Sequence, residues 1–151
     1  MDFASYITGF VDGEGTFSVS FCRRSKFKTN IEVRPSFSIS QHKRNLEILK
    51  AIKTYFNAGF IRYSKRDQNY KYEVRSINDL NRKIIPHFKK YPPQTSKSKD
   101  FDLFEEICRY VVEKKHLNPN YLEEIINKAY LMNESGKRKY KKQNLLRFIA
   151  R

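Results

Sequence analysis

The segment spanning residues 6–15 (YITGFVDGEG) carries the side chains best suited to chemistry. Its spacing of apolar residues predicts a helix from Asp2 to about Asp12, so Asp12 and Glu14 fall at the carboxyl end. Acidic groups there oppose the helix dipole, and a bound cation would offset this cost. A hard ion such as Mg²⁺ takes carboxylate and backbone oxygens. The segment therefore indicates a magnesium site, whereas the dipeptide Asp12-Gly13 alone favours an ordinary turn.

Two glycines in this helix suggest how it could meet a second copy. Gly9 and Gly13 are four residues apart, so they share one helix face and let another backbone approach closely. Phosphodiester hydrolysis benefits from metal ions on both the attacking and the leaving oxygen. No repeat of the first 90 residues is found, so one chain supplies one Glu14. The pattern predicts a homodimer whose interface contains Gly9 and Gly13 and brings two Glu14 carboxylates together.

Four segments alternate between apolar and polar residues, as half-buried strands do. They run from Thr16 to Arg24, from Ile31 to Ile39, from Phe60 to Ser64 and from Tyr70 to Arg75. Pro35 predicts a bulge or an unpaired stretch in the second strand. If helices cover one face of this sheet, the other face keeps side chains that are mostly cationic or hydrogen-bonding. These are Ser18, Ser20, Cys22, Arg24, Glu32, Arg34, Ser36, Ser38, Arg62, Ser64, Lys71, Glu73 and Arg75.

The side chains of the open face are of the types that recognise base edges in a nucleic-acid duplex. A nine-residue strand spans roughly 30 Å, the length of about nine base pairs, and the major groove accepts a two-stranded ribbon. Arg pairs with guanine, Glu with the cytosine amino group and Ser with several base edges. The strand aromatics Phe17, Phe21 and Phe37 fall on the core side, unlike the stacking platforms of single-strand binders. A merely solvated face is the alternative for any single strand.

The order of elements predicts an α+β fold with an α-β-β-α-β-β-α core. A helix from about Lys43 to Phe56 ends at Asn57-Ala58-Gly59, and another follows Ser76. The sheet is then four-stranded and antiparallel, with its helices on one face.

C-terminal helices follow a polar connection from Lys89 to Lys99. One starts at Asp100, one at Asn118-Pro119, and one follows Gly136 and the basic run from Lys137 to Lys142. The expected organisation is one domain over residues 1–151, with a core at about 3–104 and a helical extension at about 105–151.

The balance of charged residues indicates the class of molecule that the chain is expected to bind. Lys and Arg number 31 against 16 Asp and Glu, a formal charge of +15, which favours a polyanion. The sequence predicts no membrane span and no secretory signal. Cys22, on the open face, and Cys108, in the core, cannot form a disulfide framework, and no Cys/His spacing suggests zinc. An intracellular protein, in a bacterial cytoplasm or an organelle, is expected.

Residues 7–15, ITGFVDGEG, resemble the motif of the LAGLIDADG homing endonucleases, and the predicted core resembles theirs from about Phe3 to Phe104. A single motif resembles the homodimeric branch. The resemblance implies site-specific, Mg²⁺-dependent cleavage of both DNA strands with short 3′ overhangs, by the product of an intron-borne gene.

The resemblance also implies roles for individual residues. Glu14 matches the metal-binding acid and Gly13 the neighbouring carbonyl ligand. Gln41 matches the polar residue that positions the attacking water, and Lys97 the basic residue beside the scissile phosphate. Thr8 stands where alanine is usual, and Glu14 where aspartate is commoner.

Two other functions fit the same fold. One is an intron RNA-splicing maturase or a catalytically inactive DNA-binding regulator. The other is a non-specific duplex binder, which Glu32 and Glu73 on the open face disfavour because acids weaken purely electrostatic attraction.

Overall fold

The structure is a computed structural model that describes residues 2–133 and 138–151. It confirms the α+β class and the antiparallel sheet of four strands. No helix among the described residues is both long and apolar enough to cross a membrane. The elements are α1 Phe3–Glu14, β1 Gly15–Arg23, β2 Ile31–His42, α2 Leu46–Phe56, β3 Phe60–Ser64, β4 Asn69–Val74, α3 Ile77–Asp79, α4 Ile85–Lys90, α5 Lys97–Val112, α6 Pro119–Ala129 and α7 Lys142–Arg147.

The sheet has the strand order β1-β2-β4-β3, with β1 and β3 at its edges. β1 and β2 pair without interruption from Gly15–Ile39 to Arg23–Ile31, so the expected bulge at Pro35 is absent and Pro35 lies opposite Val19. β4 pairs with β2 only from Phe37 to His42. Pro35 therefore lies in the part of β2 that extends beyond β4, where a missing amide proton is tolerated.

The core lies between the sheet and the helices. Phe17 on β1 packs against Phe37, Phe88, Phe101 and Phe104, with ring centroids 5.2–5.4 Å apart. Offset and tilted aromatic packing of this kind adds to the free energy gained by burying the rings. Helix α5 thus contributes side chains to the hydrophobic core.

Helix α1 extends two residues further than expected and passes directly into β1. Asp2 caps its first turn by accepting a hydrogen bond from the Ala4 amide at 3.1 Å. At the other end, Gly15 lies so close to the helix that a Cβ atom would be 2.7 Å from Cγ1 of Val11. Glycine is needed there because real Cβ atoms do not approach other atoms this closely, and the tight junction holds Glu14 at the start of the sheet.

Residues 77–90 form one interrupted helical stretch in place of a single helix. Ser76 caps it, as expected, and a π-helical segment, Leu80–Ile84, separates α3 from α4. Pro86 lies two residues beyond this segment, and because proline has no amide proton the α-helical ladder cannot run through it.

Helix α5 begins at Lys97, three residues before the expected start at Asp100. The amide of Lys97 donates to the Thr95 hydroxyl at 3.3 Å, and the amide of Ser98 donates to the Thr95 carbonyl at 2.9 Å, so the turn that leads into the helix forms before Asp100.

The C-terminal part covers the outer edge of β1. Asn133 Nδ2 donates to the Phe17 carbonyl and Arg138 Nη1 to the Val19 carbonyl, both at 2.7 Å. α6 starts at Asn118-Pro119 as predicted. Of the predicted last helix, α7 is observed, whereas Gly136 and Lys137 lie outside the described residues.

Candidate active site and nucleic-acid interface

Asp12, near the carboxyl end of α1, holds the loop that leads into α5. Its Oδ2 accepts a hydrogen bond from the Gln94 amide at 2.8 Å. Its Oδ1 accepts from the Thr95 amide at 3.2 Å and from the Thr95 hydroxyl at 2.8 Å. With these donors in place, Asp12 joins α1 to the start of α5.

The same contacts set the acidity of Asp12. Partial burial raises its pKa, but the hydrogen bonds from Gln94 and Thr95 and the nearby Lys97 charge outweigh burial and leave the pKa below its usual value. The carboxylate is thereby kept ionised, and its negative charge at the helix end is compensated from within the chain.

Lys97 lies against the end of α1. Its Nζ donates to the main-chain carbonyl of Asp12 at 3.0 Å, two residues before Glu14. A cation at the carboxyl end of a helix interacts favourably with the dipole, so Lys97 supplies part of the positive charge expected there. The structure thus brings together Asp12 of the motif and Lys97, which are 85 positions apart in the sequence.

Glu14 is the last residue of α1 and is exposed, as is Gly13 before it. Among the described residues, no group of three or more His, Cys, Asp and Glu side chains is arranged to hold a metal ion. Glu14 therefore offers a single hard oxygen ligand at this helix end, beside backbone carbonyls.

Gln41 lies near the end of β2, two residues beyond Ile39, the partner of Gly15 at the start of β1. This register places Gln41 on the strand that runs past the end of α1. Its Oε1 accepts a hydrogen bond from Nδ2 of Asn45 at 3.0 Å, which orients the amide.

Thr8 replaces the usual alanine and joins a buried polar network behind α1. Its hydroxyl donates to the Tyr91 carbonyl at 2.8 Å and lies 3.1 Å from Nε2 of His87. The hydroxyl must therefore accept from Nε2, leaving Nδ1 of His87 to accept from the Tyr55 hydroxyl 2.9 Å away. Burial lowers the pKa of His87 to about 4, while Asp2 acts in the opposite direction, so the imidazole is neutral at pH 7.

The outward face of α1 has room for close packing. Gly9 and Gly13 are exposed, and a Cβ atom built on either would have no atom within 4 Å. Tyr6 and Phe10 lie beside them with ring centroids 6.0 Å apart. The result is an exposed surface formed by Gly9, Gly13 and Tyr6, with the partly buried Phe10 at its margin against the core.

The open face of the sheet has the predicted orientation. Phe17, Phe21 and Phe37 are buried on the helix side. Two residues expected on the open surface are covered instead: Ser38 and Glu73 point to the open side but are buried. The rest are at least partly exposed, namely Ser18, Ser20, Cys22, Arg24, Glu32, Arg34, Ser36, Arg62, Ser64, Lys71 and Arg75.

Both acidic residues of the open face are paired with cations. Glu32 Oε1 lies 2.6 Å from Nε of Arg34 and 3.4 Å from Nε of Arg24. Glu73 lies within 4 Å of the charged nitrogens of three cationic side chains. The acids therefore form local contacts within a positively charged surface.

Three further residues belong to the open face. Thr16 pairs with Ser38 and Ser40 with Lys71, so both continue an alternation visible in the sequence. Phe60 pairs with Glu73 and is 40% exposed on this face, where its apolar character gave no signal.

Comparison with known proteins identifies the family. The sequence profile described as LAGLIDADG endonuclease matches residues 7–108. The chain is 34% identical over 130 residues to probable intron-encoded endonuclease 2 of Neurospora crassa, which is 85% of this chain but only 29% of that protein. The chain thus spans less than a third of that relative.

Two solved structures share the fold. The archaeal intron-encoded homing endonuclease I-Vdi141I, complexed with DNA, superposes with a TM-score of 0.87 and 32% identity, over 96% of this chain and 92% of that chain. I-SmaMI bound to uncleaved DNA in the presence of calcium ions gives 0.88 and 31%, over 95% of this chain and 48% of that one. With the profile match covering the motif and most of the core, the chain belongs to the LAGLIDADG endonuclease family.

Proposed function

We propose that this chain is one protomer of a homing endonuclease that cleaves both strands of a specific DNA duplex by metal-dependent hydrolysis. The observation that carries the proposal is the joint placement of Glu14 and Lys97 at the end of α1, where the helix passes into the sheet. DNA bound along the open face of the sheet would present a phosphate to this helix end. The related I-Vdi141I is solved in complex with DNA, which supports DNA as the ligand of this fold.

In this proposal, the open face reads the duplex. β1 has nine residues, long enough to follow about nine base pairs in the major groove. Two protomers would double that length into a long pseudo-palindromic site. Bidentate donors for base edges come from Arg24, Arg34, Arg62 and Arg75. The serine hydroxyls of this face can both donate and accept hydrogen bonds.

The residues at the end of α1 fit a divalent cation such as Mg²⁺. The Glu14 carboxylate and the Gly13 carbonyl are hard oxygen ligands, and Mg²⁺ usually takes few protein ligands beside water and substrate phosphate. A bound cation would stabilise the charge that develops on the phosphate oxygens.

Lys97 and Gln41 would act beside this ligand pair. The Lys97 ammonium, held against the Asp12 carbonyl, would lie beside the scissile phosphate and attract its charge. The Gln41 amide, oriented by Asn45, would hydrogen-bond the attacking water. Neither group needs to change its charge for these roles.

A second copy would complete the site. Two chains packed through the face of α1 that contains Gly9 and Gly13 would bring two Glu14 carboxylates beside one duplex. Two chains of formal charge +15 repel each other, so close helix packing and bound DNA must hold the dimer together.

Selection and cleavage of a randomised duplex library test the proposal. The wild-type protein with Mg²⁺ is expected to enrich a long, nearly two-fold-symmetric site and to cut it. Glu14→Gln should bind the same site and lose at least about a hundredfold in cleavage rate, because the amide replaces an ionised ligand. Glu47→Gln, an 86% exposed acid on α2, is the charge-matched control. Equal cutting by all three proteins would remove Glu14 from the mechanism.

A further inference from the structure

Glu73 lies at the centre of the open face, and its surroundings differ from those of an ordinary surface acid. In the sheet it is flanked by Ser38 on β2 and Phe60 on β3. Its side chain is only 3% exposed although it points away from the hydrophobic core. The carboxylate therefore lies on the open side of the sheet but beneath the exposed surface.

Three cations cover this carboxylate. Oε1 of Glu73 lies 3.2 Å from Nε of Arg75 and 3.7 Å from Nη2 of Arg62, and Oε2 lies 3.7 Å from Nζ of Lys71. The side chains of Arg62 and Arg75 are 54% and 58% exposed. One buried negative charge thus lies beneath three cationic groups that face the solvent.

The contacts are electrostatic rather than hydrogen-bonded. Oε1 of Glu73 accepts no hydrogen bond from the described residues, and 3.7 Å is too long for Lys71 to donate one to Oε2. The cations are held near the carboxylate, while their N–H groups can still donate to a ligand above the sheet. A buried carboxylate is tolerated only with such compensation, so the arrangement restricts where the three side chains go.

We propose that Glu73 is a specificity-determining positioning residue of the open face. It fixes Arg62, Lys71 and Arg75 in the orientation that reads base edges, and it weakens their attraction for phosphates of any sequence. The inference rests on the proposed function, since it requires this face to bind DNA. It also replaces the expectation that Glu73 itself pairs with a cytosine, because the carboxylate lies beneath the cations.

The two effects of Glu73 change different measurable quantities, namely the salt dependence of binding and the discrimination between bases. Its charge opposes non-specific binding, because each additional neutralised phosphate steepens the dependence of log K on log salt by about 0.9. Its position affects discrimination, because a well-placed bidentate contact distinguishes bases by about 5- to 150-fold, the equivalent of roughly 1–3 kcal/mol. A variant that keeps the charge but changes the geometry separates the two.

The test compares wild type, Glu73→Gln, Glu73→Asp and the control Glu47→Gln. Each protein is given a randomised duplex library, and its affinity for a random-sequence duplex is measured at several salt concentrations. Thermal unfolding of each variant reports its folding.

For Glu73→Gln we expect several-fold tighter binding to random DNA at 0.1 M salt, a salt slope steeper by about one, and loss of at least fivefold discrimination at a few adjacent base pairs. Glu73→Asp should keep the wild-type salt slope but lose part of that discrimination, since its side chain is one methylene shorter. Glu47→Gln should leave the base preferences unchanged.

Unchanged preferences in a folded Glu73→Gln protein would overturn the inference while leaving the proposed function supported by the wild-type selection. If Glu73→Gln does not fold, wild-type preferences in Glu73→Asp would overturn it equally. If the wild-type protein itself selects no sequence, the proposed function and the inference fail together.

Discussion

Asp12 connects parts of the candidate site that are far apart in the sequence. It accepts hydrogen bonds from Gln94 and Thr95, which lie 82 and 83 positions away, while its carbonyl accepts from Lys97. Asp12 therefore holds the loop that leads to Lys97, and three hydrogen bonds already orient its carboxylate.

Replacing Asp12 by asparagine should slow cleavage without weakening DNA binding much. The new amide group would face backbone N–H donors, and leaving such groups unpaired costs about 1–3 kcal/mol. A displacement of Lys97 by about 1 Å would lower the cleavage rate by roughly a hundredfold. Single-turnover cleavage and equilibrium binding measure the two effects separately.

Thr95→Val is the graded control, since it removes the hydroxyl contacts but keeps the amide donor to Asp12. It should lower the cleavage rate less than Asp12→Asn does. Wild-type cleavage by Asp12→Asn would contradict the positioning role.

At the scale of the element, α1 is held on its inner side by polar contacts as well as by apolar packing. Ala4, Ile7 and Val11 are buried, and Thr8 links the helix to His87 on α4 and to the Tyr91 carbonyl. The orientation of the helix that carries Glu14 therefore depends on a neutral imidazole.

This network predicts a loss of stability in mild acid. The pKa of His87 lies at about 4 in the folded protein, below the ordinary value of 6.5, so the unfolded chain binds more protons between these values. Stability is complete above pH 6.5 and is lost as pH falls toward 4, by about 2 kcal/mol at pH 5. Thermal unfolding at pH 7.5 and pH 5 measures this as a fall of about 4–8 °C.

The variant His87→Gln should be less stable than wild type at pH 7.5 but should lose less on going to pH 5, since glutamine does not titrate. An equal loss in both proteins would place the acid sensitivity elsewhere in the chain.

At the scale of the whole molecule, two glycines are expected to affect different properties: Gly9 on α1 affects assembly and Gly15 at the start of β1 affects folding. Gly9→Leu should leave the isolated protomer folded, because the space in front of Gly9 is open, yet it should abolish dimerisation and cleavage together. Gly15→Ala should instead destabilise the protomer by about 1–3 kcal/mol, because its Cβ would clash with Val11. Sedimentation and thermal unfolding distinguish the two outcomes, and an intact Gly9→Leu dimer would refute the proposed interface.

The fold was largely predictable because its signals are local. Alternation in the strands, the Ser76 and Asn118 caps and the Asn57-Ala58-Gly59 stop all act within a few residues. The order of elements along the chain and the covered face of the sheet followed from these, whereas the strand order β1-β2-β4-β3 depends on long-range pairing.

The arrangement of the candidate site was less predictable, because it depends on long-range contacts. Nothing near Asp12 in the sequence indicates that it binds the loop at Gln94, or that Thr95 starts α5 early. Likewise, the burial of Glu73 depends on cations from β3 and β4 meeting across the sheet. Alternation gives the direction of a side chain, and its neighbours decide whether it is exposed.

The outer edge of β1 has a consequence for how this protein behaves at high concentration. An unpaired edge strand is a template onto which further strands add, and in many proteins it seeds fibrils. Here the carbonyls of Phe17 and Val19 are already occupied by Asn133 and Arg138. The chain's own side chains therefore occupy two of the acceptors along this edge and hinder the addition of a further strand to β1.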